Sequence, residues 1–462
     1  MITAAAPSLP LGTGFSGRHY AVLGLARSGA AAVASLVASG AKVTAWDARE
    51  EPRAAVAARH PGVELADPCA IDLTGFAALV VSPGVPINRH PVAEAAAKFG
   101  VPLVCDIELF AQARPELPAH RVVGITGTNG KSTTTALVHH LLKSAGLPVR
   151  MGGNIGIPVL EQAPLPAGGV YVLELSSYQI DLTRSLACDA AALLNITPDH
   201  LDRYENFAAY AAAKGRLFAM QNAHAPAIFG LTDAETGAIA GHEAQRRAQE
   251  GAPGTVRMVD GAELAALQPG WASLQGPHNL QNAAVAVALV EALGITPAQW
   301  RPALATFRGL PHRMEQVGEA NGVSFINDSK ATNPASAAPA LAAFPPVDGH
   351  RRVHWIVGGL PKGDRLDECE AYFGNVAAAY CIGDAGPRFA ELLAPAMPVH
   401  RSEMMCEAIR EAIAHAAPGD VVLLSPACAS FDQFRDYEAR GDAFRQIVAA
   451  LTDPESEPGV PC

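Results

Sequence analysis

The sequence predicts an α/β protein made of three successive α/β units, and three observations carry that reading. Short apolar strands alternate with Ala-rich helices, the pattern of βαβ units that build a parallel sheet covered by helices. Polar, glycine-containing turns recur at the carboxyl ends of those strands, where open α/β sheets bind ligands. At 462 residues the chain exceeds what one core supports, and a length prior points to about three domains.

Composition narrows the class. Hydrophobic residues make up 49% and charged ones 17%, which is globular and not disordered. A net charge of −11 argues against a nucleic-acid-binding surface, so an anionic substrate must be held by local Lys and Arg. The eight cysteines are scattered with no C-x-x-C pair, and they read as small buried hydrophobes in a reducing compartment. No apolar run reaches membrane-spanning length. The stretch beginning at Tyr20 is broken by Arg27 and lacks a basic leader, so no signal peptide is read and a cytoplasmic location is expected.

The first unit, residues 1–105, opens with a strand from His19 to Gly24, a helix from Ser28 to Ser39, and strands from Lys42 to Trp46 and Ala77 to Val81. Its first turn, Gly24-Leu25-Ala26-Arg27-Ser28-Gly29, imitates the dinucleotide fingerprint, and Asp47 ends the next strand. Ala26 replaces the middle glycine, so the turn is either a diphosphate or ribose site or only a tight βα connection. Ser82-Pro83-Gly84 follows a later strand end and supports the ligand reading.

The second unit, residues 106–309, carries the most telling stretch, Val122 to Thr133. An apolar strand ends in Thr126-Gly127-Thr128-Asn129-Gly130-Lys131-Ser132-Thr133, and a helix follows from Thr133 to Ala145. Backbone N–H groups of such a turn and the positive end of the helix dipole face an anion. Lys131 can reach β/γ-phosphates and Ser132 can ligate Mg²⁺. The general pattern would place glycine at Ile125, so this is a shorter G-x-x-G-K-S variant. The strand from Val170 to Leu175 carries Glu174, which is either a metal ligand or a helix-capping acid. A further strand, Ala190 to Leu194, leads into Asn195-Ile196-Thr197-Pro198-Asp199-His200-Leu201-Asp202-Arg203-Tyr204, where His200 between two aspartates is a candidate ligand or a surface turn. Lys214 follows in a helical run with few charges, where a solvated helix lysine is the plain alternative. Residues 223–270 are the least readable. Asn279 and Asn282 open a helix that runs to Leu293, where capping is the plain role.

The third unit, residues 310–462, has strands at Val323 to Ile326, Val353 to Val357, Ala379 to Ile382 and Val421 to Leu424. Arg313 lies at the joint in Gly309-Leu310-Pro311-His312-Arg313-Met314-Glu315, where it can pair with phosphate or with Glu315. Three polar loops follow strands: Asn327 to Pro334 with Asp328, Lys330 and Thr332; Gly358 to Lys362; and Ser425 to Phe434 with Ser430. They should converge on one rim. The tail from Asp453 is polar and reads as frayed.

Together these motifs resemble the Mur ligases, nearly end to end. The P-loop Thr126 to Ser132 matches that superfamily's own variant, and the spacing of Glu174, His200, Lys214, Asn282 and Arg313 is shared with it. Asp106-Ile107-Glu108-Leu109-Phe110, Leu173 to Gln179, Asp328 to Asn333 and Leu424 to Ser430 are similar to the glutamate-adding members, and the Asp-Asn-Pro-Arg signature of the diaminopimelate-adding relatives is absent.

The resemblance implies an N-terminal Rossmann-like UDP-binding domain, a central P-loop ATPase domain and a C-terminal Rossmann-like domain. It implies ATP-dependent addition of D-glutamate to UDP-N-acetylmuramoyl-L-alanine by a monomer, through an acyl phosphate, in peptidoglycan precursor synthesis. Arg27, Ser28, Asp47, Arg49, Ser82, Pro83, Gly84 and Asn154 would hold the UDP substrate. Gly127, Thr128, Asn129, Gly130, Lys131, Ser132, Thr133, Asn282, Arg313 and Asp328 would hold ATP. Two Mg²⁺ ions would be held by Ser132, Glu174, His200 and a carbamate on Lys214, formed from CO₂. Lys330, Thr332, Lys362, Ser430 and Tyr437 would receive glutamate; Tyr437 stands where these enzymes often show Phe, in a contact that is largely backbone. Lys131, Glu174, His200, Lys214 and Lys330 form the implied catalytic set. Three rival readings remain at this stage: another Mur-type or folylpolyglutamate-type ligase, an NAD-dependent oxidoreductase resting on the first turn alone, and a non-catalytic nucleotide-binding module.

Overall fold

A computed structural model describes residues 8–199, 203–271, 273–361 and 363–452. It contains three α/β sheets, as expected. In the first, β1 (His19–Leu23), β2 (Lys42–Trp46), β3 (Glu64–Leu65), β4 (Phe76–Val81) and β5 (Leu103–Val104) stand in the order β3-β2-β1-β4-β5. All its pairings are parallel. In the second, β6 (His120–Thr126), β7 (Val149–Gly153), β8 (Gly169–Glu174), β9 (Ala190–Leu193), β10 (Ala227–Gly230) and β11 (Val256–Val259) stand in the order β11-β10-β9-β6-β8-β7, again parallel. Strands such as β8 are buried along their whole length, which is why they read as continuous apolar runs and not as alternating ones.

The third sheet is mixed. Its strands are β12 (Glu315–Ala320), β13 (Val323–Asn327), β14 (Val353–Gly358), β15 (Val376–Ile382), β16 (Val399–Glu403) and β17 (Val421–Leu424), in the order β12-β13-β17-β14-β15-β16. Only the edge strand β12 is antiparallel among them. It was not foreseen, because Glu315 to Ala320 is mostly polar and only partly buried. The edge strand β16 was missed for the same reason.

The chain divides into two compact units, one running to Asp260 with Ala284–Arg301, the other Gly261–Ala283 with the chain from Pro302 onward. In the first, one continuous apolar core runs from Leu9 and Phe15 through Leu109 and Phe110 to Leu217, Phe218 and Phe229, so the first two sheets share it. In the second, the β13–β17–β14 layer has cores on both faces, around Trp355 and Phe389 on one side and Phe325, Tyr380 and Phe444 on the other.

Element edges differ from expectation by one or two residues. The helices run Arg27–Ala38, Lys131–Ser144 and Pro277–Ala292. The obscure segment 223–270 holds β10, the helix Ala234–Gln249, β11 and a 3₁₀ stretch, Gly261–Gly270. Six cysteines are free thiols and five of those are buried. Among the described residues no helix is long and apolar enough to cross a membrane.

Candidate active site

β1 is flanked by β2 on one side and β4 on the other, so the turns leaving β1 and β4 face each other across a switch point. The β1 turn is tight: a Cβ on Gly29 would lie 1.8 Å from the Gly24 carbonyl oxygen, and Gly24 itself has φ +85°. These glycines serve the close approach of helix to turn. Ser82 Oγ donates to Gly24 O at 2.7 Å and ties the two turns together. A cleft of about 420 Å³ opens there, lined by Arg27, Ser28, Asp47, Arg49, Ser82, Pro83 and Gly84, and by Asn154 from the second sheet. All eight residues expected at the UDP site therefore line one cleft. Asp47 is tied inward: its oxygens accept from Leu25 N at 2.8 Å and Arg49 N at 3.0 Å. Its pKa is lowered because those bonds and Arg49 outweigh its desolvation. Arg27 reaches the carbonyl of Gly156, bridging the two α/β layers.

In the second sheet β6 is flanked by β8 and β9, so the P-loop, Glu174 and Asn195 emerge side by side. Gly130, with φ +81°, opens the helix Lys131–Ser144, whose first residues are Lys131 and Ser132. Asn195 braces the loop: Thr128 N donates to its carbonyl at 2.9 Å and Asn129 N to its Oδ1 at 2.8 Å. Tyr210 OH lies 3.0 Å from Thr128 Oγ1. Lys131 Nζ donates to Thr128 O at 2.6 Å. Neither Asn195 nor Tyr210 was singled out from sequence, although both lie in stretches that were.

Glu174 is buried at the end of β8. Its Oε1 accepts from Asn154 Nδ2 at 2.9 Å, while Oε2 is buried without a hydrogen-bond partner. Such an orphaned carboxylate oxygen is costly unless it ligates a cation. The capping acid of the plain reading is excluded, because Ser176, not Glu174, caps the helix Ser177–Asp181. Lys214 is only 2% exposed, donates to Gly127 O at 2.8 Å and lies 4.6 Å over the Tyr210 ring. The solvated lysine of the plain reading is excluded as well. Burial first, and the Lys131 charge second, pull its pKa well below the usual amine value, against Asp199 and Asp181. A second chamber of about 310 Å³ holds Lys131, Lys214, Tyr178, Arg203 and Tyr210, and shares Pro83, Gly84 and Asn154 with the first cleft. His200 lies outside the described residues. Among those described, no three His, Cys, Asp or Glu gather as a metal cage; of the expected ligands only Glu174 is both described and of that type.

Three motif residues find their place here. Glu108 accepts from Arg184 N at 2.7 Å and Ser185 N at 3.0 Å, so it clamps a loop. Gln179 lines the first cleft with its Oε1 held by Ser176 N at 3.1 Å. Asp106 is buried too, and that burial raises its carboxyl to about 6.

In the other unit, Asp328 follows β13 and is buried, with Oδ2 accepting from Ser425 Oγ at 2.8 Å. Burial raises its pKa to about 7, against the Ser425 bond, the Met314 N–H and the Arg313 charge. Lys330 Nζ donates to Tyr437 OH at 2.8 Å and lies 4.1 Å over that ring. Tyr437 also offers its backbone carbonyl to Ser329 Oγ at 2.8 Å, so its contacts are not backbone alone. Arg440, missed from sequence, is 1% exposed and binds Ser329 O at 2.9 Å, Cys428 O at 3.0 Å and Ala429 O at 3.1 Å. It joins the loop of Lys330 and Thr332 to the loop of Ser430. Asn282 Nδ2 donates to Asn279 Oδ1 at 3.3 Å inside the helix, which starts at Pro277, so neither asparagine is its N-cap. Lys362 lies outside the described residues.

The family descriptions "Mur ligase MurD-like, N-terminal domain", "Mur ligase middle domain" and "Mur ligase, glutamate ligase domain" match residues 18–105, 125–290 and 312–428. A relative from Novosphingobium aromaticivorans, named UDP-N-acetylmuramoylalanine–D-glutamate ligase, is 65% identical over 96% of this chain and 97% of its own length. The chain belongs to the Mur ligases. Relatives of the same name from Sphingopyxis alaskensis and Zymomonas mobilis are 57% and 52% identical, each over 95% of this chain and 98% of their own. Among solved structures, the UDP-N-acetylmuramate-alanine ligase MurC of Thermotoga maritima superposes with a TM-score of 0.56 at 17% identity, covering 94% of this Mur ligase and 99% of that chain. That likeness shows the shared fold.

Proposed function

We propose that this Mur ligase adds D-glutamate to UDP-N-acetylmuramoyl-L-alanine, consuming ATP and releasing ADP and phosphate, in cytoplasmic peptidoglycan precursor synthesis. The observation that carries the reading is the continuity of two clefts through Pro83, Gly84 and Asn154. A nucleotide-sugar held between the β1 and β4 turns presents its far end to Lys131 and Lys214. The relatives of the same length support the same substrate pair.

A free carboxylate does not acylate an amine at neutral pH, because oxide is a poor leaving group. The substrate carboxylate therefore attacks the γ-phosphorus of ATP, ADP leaves, and the amine of glutamate attacks the acyl phosphate to expel phosphate. Lys131 and the P-loop N–H groups stabilise charge on the transferring phosphoryl group. Thr128, Asn129 and Thr133 complete that cradle. Asn282, Arg313 and Asp328 take the adenine and ribose-phosphate side, and Lys330, Thr332, Lys362, Ser430 and Tyr437 the glutamate. The residues fit Mg²⁺: Glu174 Oε2 is an orphaned hard oxygen, and Ser132, His200 and Lys214 complete the proposed donor set for two ions. When bound, Mg²⁺ neutralises phosphate charge. Lys214, a desolvated amine, captures CO₂ with loss of a proton, and the carbamate turns a cation into an oxygen donor. The proposed division of labour is residues 1–105 for the UDP end, 106–309 for ATP and 310–462 for the amino acid, in a monomer.

Phosphate release tests this directly, with UDP-N-acetylmuramoyl-L-alanine, ATP, Mg²⁺ and a panel of amino acids in both configurations. D-glutamate should stand out by well over tenfold. Equal rates with L-lysine or diaminopimelate, or none with any glutamate, would sink the assignment.

A further inference from the structure

The loop after β4 is held from two sides. Ser82 N donates to Leu23 O at 3.0 Å and Ser82 Oγ to Gly24 O at 2.7 Å, tying its first residue to the β1 turn. Beyond Ser82 the chain presents three successive carbonyls, those of Pro83, Gly84 and Val85, toward the segment after β9. Arg203 meets all three. Its Nη1 donates to Val85 O at 2.9 Å, and its Nη2 lies 3.3 Å from Gly84 O and 3.4 Å from Pro83 O. The guanidinium carbon lies 4.1 Å over the Tyr178 ring. Tyr178 in turn stacks with Tyr204, whose hydroxyl donates to Asp181 at 2.8 Å. Arg203 is thus a planar fork clamped between an aromatic face and a row of carbonyls.

Pro83 and Gly84 form walls of both the 420 Å³ cleft and the 310 Å³ chamber. A shift of that loop would move the far end of a bound nucleotide-sugar relative to Lys131. Positioning errors of about 1 Å cost up to a hundredfold in rate. We infer that Arg203 is a positioning residue for the UDP-linked substrate, locking the Pro83–Val85 loop to the chain that leads into the helix Phe207–Ala219. The inference rests on the function proposed above. A lysine cannot replace this fork, because a single ammonium does not span three carbonyls in a plane.

The test begins with binding of UDP-N-acetylmuramoyl-L-alanine to the wild-type chain by calorimetry, then repeats it with Arg203→Ala and Arg203→Lys, alongside KM and kcat for all three substrates. Arg203→Ala should raise the Kd and KM of the UDP substrate roughly tenfold, as expected for lost charge-assisted bonds. The ATP KM should stay within about twofold, and added guanidinium or ethylguanidinium should recover part of the loss. Failure of the wild type to bind the UDP substrate overturns the functional reading and this inference with it. Wild-type binding with unchanged Kd in Arg203→Ala overturns the inference alone. So does an equal rise in all three KM values with no guanidinium rescue, the mark of general loosening. Should Arg203→Ala not fold, Arg203→Lys decides: a raised Kd supports the fork, and a wild-type Kd overturns it.

Discussion

The two lysines that face the shared chamber carry opposite chemical assignments, and burial is what separates them. Lys131 opens a helix at the mouth of a phosphate cradle, where a cation is wanted. Lys131→Ala should lower kcat by about a hundredfold or more, with a melting temperature close to wild type, because Lys131 supplies charge to the transferring phosphoryl group and not core packing. Near-normal turnover would remove the P-loop assignment. Lys214 is enclosed against Tyr210 and Gly127 with its amine pKa well lowered, so it is neutral at a pH where an exposed lysine is charged. Neutral amine is the form that captures CO₂. Lys214→Ala should lose most activity and regain part of it with acetate, which supplies a carboxylate oxygen. Lys214→Arg should stay inactive. ¹³C NMR of the wild type in labelled bicarbonate should show a carbamate carbon that is absent from Lys214→Ala, and its absence from the wild type would refute the modification.

The residues proposed for the chemistry sit on loops that follow strands, yet what orders those loops comes from elsewhere in the chain. Asn195 braces the P-loop, Glu108 clamps residues 184–185, and Arg440 staples the loop after β13 to the loop after β17. Arg440 is the sharpest case, since its guanidinium is buried and its pKa is depressed to about 10 by that burial. Arg440→Ala removes the guanidinium from the carbonyls of Ser329, Cys428 and Ala429, of which Ala429 O keeps the Leu360 N–H, and should cost about 3 kcal/mol of stability. It should also raise the glutamate KM more than the ATP KM. Calorimetric unfolding together with steady-state kinetics would check both, and an unchanged glutamate KM would mean that these loops do not receive the amino acid.

Across the whole molecule, the buried titratable groups set how stability responds to pH. Asp328 has an ordinary carboxyl value of 3.8 when unfolded and about 7 when folded. Between those values the native state binds more protons than the unfolded one. Its contribution is therefore fully present below pH 3.8 and is lost as pH rises through about 7. Asp328→Asn, which cannot ionise, should flatten the melting temperature between about pH 4 and 7 relative to wild type. An unchanged slope would show that the carboxylate is stabilised in the fold.

Periodicity and turn chemistry, read from the sequence alone, determined three α/β units, the P-loop with the strand before it and the helix after it, and the strand-end position of Glu174. These are local: an apolar run, a glycine turn and a helix start are each written in a few adjacent residues. The family resemblance added roles for residues such as Lys214 that look ordinary in isolation. Polar edge strands β12 and β16 escaped because their stability comes from neighbouring strands and not from an apolar pattern. Only the tertiary structure decided that Asn195, Arg203 and Arg440 matter. Each is an unremarkable polar residue in sequence, and each orders a loop through bonds to backbone groups as many as 120 positions away: Arg203 and Arg440 donate to carbonyls, while Asn195 accepts from the Asn129 N–H and donates to the Asn129 carbonyl. Backbone carbonyls carry no sequence signature, so the need for a donor at those points arises only when folding brings the loops together and excludes water.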